Sequence, residues 1–498
     1  MIKDKFFSRK KLVVLFNLLA EFLSILNTDG LSDEQFDLIP YYFELYSTYT
    51  TKLNTSFEEG ADIFLKDLKA MLDSTKNEEK ERRSCTARII CLWLDQHFNY
   101  EKVGENIISL IPMIEINQSK PVEVYSLNTN YKKTKIWINP KFDTHNIINE
   151  CTGTEQNGVT NKSSWTGINY MLENVSYIPW DGTVIIKNIV IAETDLRNSN
   201  KKSLSIAYIP MTCDTDLIEK KLVDYKYKDL MVTGAELKLK RTFSQCSRRL
   251  EADWNSAVKS GADIIFMPEM LGTAELCGKG KDVIDFIRKA SIKMDAQDQK
   301  LPLFTVLPSF WNSRSNSSTI VSGNGQVLGV QEKHVPYVNR DESWVEALEE
   351  ITPKEFLIIH IPHVHRISVI ICSEYLEDTT AKWSDILCRS LGVSLLLVPS
   401  YSVGEQAFLK TLARYRETGA SVIWGNNCGA KSDETFAIGG CSISELNVEK
   451  TFGEYCKCGF NCKGVKSCVF LINLDLTMTY PKVESHDDEF SIMHIIDN

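Results

Sequence analysis

The chain has 498 residues, of which 43% are hydrophobic and 24% charged, and a formal net charge of −10. That length supports two or three domains with real hydrophobic cores, and the acidic balance argues against a nucleic-acid partner and for a small molecule or a protein. Fourteen cysteines scattered irregularly through so long a chain exclude a disulfide framework and point to reduced thiols in a cytoplasmic compartment.

The start, "MIKDKFFSRKK" followed by "LVVLFNLLAEFLSIL", has the outline of an export signal. Asn17 and Glu21 interrupt the apolar run, and no small-residue cleavage site follows. Leu12, Leu15, Phe16, Leu19, Phe22 and Leu23 fall on one helical face, so the spacing predicts an amphipathic first helix. No stretch is long and apolar enough to span a bilayer, and no membrane partner is expected. Residues 1–115 read as mainly helical, with 3.6-residue spacing in "FEEGADIFLKDLKAMLDS" and "CTARIICLWLDQHF". Residues 116–202 become rich in Asn, Thr and Gly and carry short strand-like pieces, "KIWINP" and "TVIIKNIVIAET". Neither region carries recognisable chemistry; the helical one is a candidate docking module for a protein partner.

From residue 203 to 498 the pattern is regular. "LSIAYIPM" predicts a strand, "RTFSQCSRRLEADWNSAVKSG" a helix with Phe243, Leu250, Trp254 and Val258 along one stripe, and "ADIIFMPEM" a buried strand. "LPLFTVLPSF" follows, then a hairpin, "STIVSGNGQVLGVQEK", turned at Gly323-Asn324-Gly325. "ISVII" predicts a strand buried on both faces. "TTAKWSDILCRSLG" is a helix ended by Gly392, "VSLLLVPS" a strand, "EQAFLKTLARYRETG" a helix and "SVIWGNN" a strand. Alternating buried strands and amphipathic helices make an α/β domain, with functional groups expected at strand ends.

Three strand ends carry candidate chemistry: Glu269 after "ADIIFMP", Lys333 after "QVLGVQE" and Cys372 after "ISVII". A carboxylate takes a thiol proton, an ammonium stabilises an oxyanion, and a thiolate attacks an electrophilic carbon. Spacing alone does not separate this trio from a buried core cysteine and two solvated charges.

In order along the chain, "GADIIFMPEM", "GQVLGVQEKHVP", "HRISVIICSEYLED" and "LGVSLLLVPS" resemble the successive signature blocks of the nitrilase superfamily of carbon-nitrogen hydrolases, and "LARYRETGASVIWGNNCG" with "GGCSIS" resembles its later blocks. The resemblance covers roughly residues 203–480. It implies an α-β-β-α sandwich in the C-terminal part, preceded by the mainly helical region, and a Glu-Lys-Cys triad at Glu269, Lys333 and Cys372. The family's second glutamate falls on Glu342 in "KHVPYVNRDESW", with Glu346 as the alternative register. Ser373 supplies a backbone N–H to the oxyanion, and Glu374 either orients the lysine and the strand-end turn or is merely solvated. The reaction implied cleaves a non-peptide C–N bond of an amide, carbamoyl compound or nitrile through a cysteine thioester, without a cofactor. Ser373 stands where true nitrilases carry tryptophan, which favours an amide, and Leu376-Glu377 replaces an aromatic-proline pair. The family also implies a homo-oligomer, and includes members that supply ammonia to a partner, transfer acyl groups, or accompany reverse transcriptases in bacterial defence systems. A sensor that keeps the fold and only binds a ligand is the rival from another class; an intact triad argues against it.

Three other features carry less. "CKCGFNCKGVKSC" puts Cys456, Cys458, Cys462 and Cys468 in a Cys-rich insertion at residues 453–468, a four-thiol set for structural zinc whose spacing is not a usual finger pattern. His360, His363 and His365 precede the nucleophile strand, but alternation sends His360 and His363 to opposite faces. "GTAELCGKGK" lacks the glycine interval of a phosphate loop.

Overall fold

The computed structural model describes residues 9–29, 39–97, 113–114, 136–140, 175–179, 184–191, 203–210, 218–239, 243–269, 281–295, 299–312, 314–339, 341–350, 354–361, 365–376, 387–388, 392–416, 418–430, 438–443, 448–455, 468–475 and 490–495. The chain begins with four helices, α1 (Arg9–Asp29), α2 (Tyr42–Glu59), α3 (Ala61–Thr75) and α4 (Lys80–His97). Leu15, Leu19, Phe22 and Leu23 of α1 are buried against Leu68 and Leu72 of α3 and Ile90 and Leu94 of α4. The apolar stripe of α1 therefore ends up in a helical core. Gly60, at φ 124°, separates α2 from α3 at a backbone angle that a side chain rarely tolerates. Among the described residues no helix is long and apolar enough to cross a membrane.

Four strands follow, β1 (Met113–Ile114), β2 (Ile136–Pro140), β3 (Val175–Pro179) and β4 (Val184–Ile191). The remainder comprises β5 (Ser203–Tyr208), β6 (Ile218–Tyr227), β7 (Leu230–Leu239), α5 (Phe243–Lys259), β8 (Ile264–Phe266), α6 (Lys281–Asp295), β9 (Phe304–Val306), β10 (Phe310–Asn312), β11 (Ser315–Ser322), β12 (Val327–Glu332), β13 (Val338–Asn339), β14 (Trp344–Glu346), β15 (Lys354–Ile361) and β16 (His365–Val369). After these come α7 (Ser373–Leu376), β17 (Leu395–Ser400), α8 (Glu405–Arg416), β18 (Ser421–Asn426), β19 (Gly439–Ile443), β20 (Val448–Thr451), β21 (Val469–Asp475) and β22 (Phe490–Ile495).

Two eight-stranded sheets hold this part together. The first runs β10-β11-β9-β8-β5-β21-β22 with β12 paired to β11; the second runs β1-β4-β15-β16-β17-β18-β19-β20. Strand alternation explains how they stack. In β5, Leu204, Ile206 and Tyr208 enter the core shared with the second sheet, whereas Ala207 joins the core under the helices. Residues Ile264 and Phe266 divide from Ile265 in β8 in the same way, and Phe470 and Ile472 from Val469 and Leu471 in β21. Leu250, Trp254 and Val258 of α5 and Ile287 of α6 cover the outer face of the first sheet. Phe408, Leu412 and Tyr415 of α8 cover the second, with Phe408 stacked on Trp424 at 4.6 Å. The layers are helix, sheet, sheet, helix, as the ordered blocks implied. At Gly425 an added Cβ would lie 2.2 Å from the Tyr208 ring, so the two sheets approach there only over a glycine.

Two parts of the architecture differ from the sequence reading. β4 precedes residue 203, yet it pairs in parallel with β15 from Val184↔Lys354 to Val190↔His360 and buries Ile189 and Ile191 in the inter-sheet core. The second sheet thus draws a strand from the region read as a separate mixed segment. β6 and β7 form a long antiparallel hairpin that the sequence reading did not find, and β7 pairs with β14 to make a four-stranded sheet, β13-β14-β7-β6. The predicted helix at "TTAKWSDILCRSLG" lies mostly outside the described residues, as do Cys456, Cys458, Cys462, His363 and most of "GTAELCGKGK".

Candidate active site

Cys372 follows β16 as the chain enters α7. Its φ of 48° is left-handed, unusual for a residue with a Cβ. Two backbone bonds hold it there: Cys372 N–H donates to Pro399 O at 3.0 Å, and Tyr375 N–H donates to Cys372 O at 3.0 Å. Such strain persists only where the surroundings over-determine it, and it gathers at functional positions.

Glu269 leaves the end of β8, Lys333 the end of β12, and Glu346 the end of β14; the three side chains meet beside Cys372 with 2%, 2% and 1% exposure. Lys333 Nζ donates to Glu269 Oε1 and to Glu346 Oε2, each at 2.7 Å. Asn316 of β11 donates from Nδ2 to Glu269 Oε1 at 2.9 Å and to Glu346 Oε1 at 3.3 Å. Backbone N–H groups finish the set: Tyr401 donates to Glu269 Oε2 at 3.0 Å, and Tyr337 to Glu346 Oε2 at 2.8 Å. Every carboxylate oxygen therefore has a donor, which is what buried charge requires.

The electrostatics follow from this crowding. Burial pulls the Lys333 ammonium down, but Glu269 and Glu346 more than reverse it, and its pKa is raised overall. Lys333 is therefore a fixed cation. Burial pushes the Cys372 thiol well above its ordinary range, the neighbouring Glu269 carboxylate adds to the rise, and Lys333 offsets part of it. Burial also raises the Glu346 carboxyl, with Lys333 opposing and Glu269 adding. The Cys372 thiol is thereby held toward its neutral form, within hydrogen-bonding reach of Glu269.

Glu342 does not reach this cluster. It is exposed beside Lys220, accepts from Trp344 Nε1 at 2.9 Å, and has its pKa lowered by those hydrogen bonds. The carboxylate that meets Lys333 belongs to Glu346, because β14 begins only at Trp344 and its pairing with β7 carries Glu346 inward. Asn316 was not singled out by sequence reasoning; the run "SNSS" gives no signal that three of its polar residues are buried.

Glu374 is fully buried rather than solvated. Its Oε1 accepts from the His334 backbone N–H at 2.7 Å and faces His334 Nδ1 at 3.0 Å, while Oε2 accepts from Ile371 N–H at 3.1 Å. One carboxylate thus ties the residue after Lys333 to the residue before Cys372. Ser373 Oγ donates to Val335 O at 2.7 Å, a second tie between the same two segments.

The other expected sites lie apart from these residues. His360 and His365 sit at the opposite end of β15 and β16, where His365 Nδ1 lies 3.0 Å from Ser394 Oγ. Cys468 is buried, and its backbone N–H donates to Asp253 Oδ1 at 2.8 Å.

The facing sheets with helices outside, and strand ends converging on a buried cysteine, decide the fold. The C-terminal part is a nitrilase-like sandwich. No family model matches the chain, and no curated protein matches it. Solved structures similar to it include an amidase from Nesterenkonia sp., at 12% identity over 57% of this chain and 95% of that one with a TM-score of 0.35. A cysteine-to-alanine mutant of the Nesterenkonia AN1 amidase from the nitrilase superfamily is 13% identical over 57% of this chain and 96% of that one, with a TM-score of 0.35. The glutamine-dependent NAD+ synthetase from Acinetobacter baumannii is 16% identical over 56% of this chain and 48% of that one, again with a TM-score of 0.35. Likenesses this weak say nothing about activity.

Proposed function

We propose that this chain hydrolyses a non-peptide C–N bond, most readily that of an amide, through a thioester on Cys372. The observation that carries the reading is the Lys333 ammonium held between Glu269 and Glu346 at 2.7 Å from each, beside a backbone-strained cysteine. A core cysteine needs neither a permanently charged neighbour nor a left-handed backbone.

Each group then has one task. Glu269 takes the thiol proton as sulfur attacks the amide carbon. The carbonyl oxygen gains the negative charge, which Lys333 and the Ser373 backbone N–H stabilise. Collapse of the tetrahedral adduct breaks the C–N bond, and the amine leaves with the proton held by Glu269. Water gives a proton to Glu269 as it attacks the thioester; the second collapse expels the Cys372 sulfur, which recovers that proton, and releases the acid. Glu346 and Asn316 hold Lys333 and Glu269 in place and touch no reacting atom.

The test is ammonia release from a panel of amides, carbamoyl compounds, glutamine and nitriles, comparing the wild-type chain with Cys372→Ala. Release that falls by about a thousandfold or more in the variant supports the nucleophile. Equal release from both proteins, or silence across the panel, rejects it.

A further inference from the structure

β10 pairs antiparallel with β11, and the register sets Trp311 directly opposite Asn316. Opposite residues of such a pair project from the same face of the sheet. For Asn316 that face is the one turned toward the second sheet: Ile320, four residues on, lies in the inter-sheet core, and the Asn316 amide reaches both Glu269 and Glu346. Trp311 accordingly stands next to the group that joins the two carboxylates. Its ring is half-buried, while its Nε1 is shut off from solvent and has no hydrogen-bond partner among the described residues.

A buried indole N–H normally finds a partner, because leaving one unpaired costs the donor its hydration. The Lys333 ammonium and the carboxylate oxygens of Glu269 and Glu346 already have partners in one another, in the Asn316 amide N–H and in backbone N–H groups. Trp311 is the neighbour that still offers a donor, and an acceptor on a bound molecule fits it. The charge of the site narrows that acceptor. Two carboxylates, Glu269 and Glu346, face one ammonium, Lys333, which leaves one net negative charge. A carboxylate on the substrate is repelled there, whereas a neutral oxygen is not.

We propose that Trp311 is a substrate-binding residue whose indole N–H donates to a neutral oxygen, a second carbonyl or a hydroxyl, carried by the acyl part of the substrate beyond the scissile amide. This rests on the amide-hydrolysis reading and deepens it: the preferred substrates are diamides, ketoamides or hydroxyamides rather than plain alkyl amides or amides bearing a carboxylate.

The experiment uses two amides of matched size, one with an oxygen acceptor and one with a methylene in its place, and Trp311→Phe, which keeps an aromatic ring and removes the donor. In the wild-type chain kcat/KM favours the oxygen-bearing amide by about tenfold, and Trp311→Phe erases that preference. Thermal melting of Trp311→Phe stays at or above wild type, since the variant buries no unpaired donor. A preference that survives in Trp311→Phe overturns the proposal, as does an equal loss for both amides, which marks a packing role. Calorimetric binding of the same amides to Cys372→Ala and to Cys372→Ala with Trp311→Phe separates the two readings. A binding preference erased by Trp311→Phe, with no turnover in the wild type, supports Trp311 and rejects the hydrolase. Turnover with an unchanged preference rejects Trp311 alone. Neither turnover nor binding rejects both.

Discussion

Cys372 combines a raised thiol pKa with a carboxylate that can take its proton, and the two properties separate in a variant. Replacing Glu269 with glutamine removes the negative charge that helps hold the thiol protonated and leaves Lys333 unchanged in sign. The pH midpoint for alkylation by iodoacetamide should therefore fall, even as amide hydrolysis drops by about a hundredfold or more for want of a base. If alkylation moves to higher pH, the assigned balance of charges is wrong. Glu346 and Glu342 make a second contrast. Glu346→Gln loses a charge-assisted bond to Lys333 and should lose on the order of a hundredfold in kcat/KM, whereas exposed Glu342→Gln should stay within about twofold. The sequence placed Glu342 first because the interval from lysine to second glutamate depends on a loop whose length carries no periodic signal. Only the pairing of β14 with β7 selects Glu346. Glu269 and Cys372 were easier to find, since each closes a run of buried strand residues, and Lys333 closes the second strand of the hairpin turned at Gly323-Asn324-Gly325.

Among the elements, strands buried on both faces announced themselves as unbroken runs of Ile, Leu and Val, and they are the strands that stack the two sheets. The β6–β7 hairpin gave no such notice. Its turn residues, Lys228 at φ 46° and Asp229 at φ 65°, adopt the doubly left-handed turn usually announced by Asn-Gly, and its strands are mostly exposed or half-buried, without a buried apolar run. β4 was legible as a strand, but its partner β15 lies far along the chain, and parallel pairing across that interval leaves no local trace. Two variants test the element scale. Gly425→Ala drives a methyl into the Tyr208 ring, which cannot withdraw because its hydroxyl donates to Asn426 O, and expression as soluble folded protein should collapse. Ile189→Ala removes a fully buried side chain of β4 from the inter-sheet core and should cost roughly 2–5 kcal/mol in denaturant melts. A cost near zero would mean that β4 does not belong to that core.

At the scale of the molecule the helical core and the sandwich cores share no residue: one is built from residues before 95, the others from residue 189 onward. Calorimetry should resolve more than one transition. Leu68→Ala in α3 should lower the transition of the helices by roughly 2–5 kcal/mol and leave that of the sandwich in place. A single transition shifted as a whole would show that the two parts unfold together. Length and composition foretold a chain with more than one core; the boundary between cores was blurred because β4 lies on the near side of it in sequence and on the far side in space.

The neutral thiol has a consequence for how the protein ages. Peroxide attacks the thiolate, and at rest burial and Glu269 keep Cys372 from being one. Cys372 should therefore resist oxidation to the sulfenic acid at neutral pH and succumb faster as the solution becomes alkaline. Under peroxide such a thiol should outlast a cysteine that waits already charged.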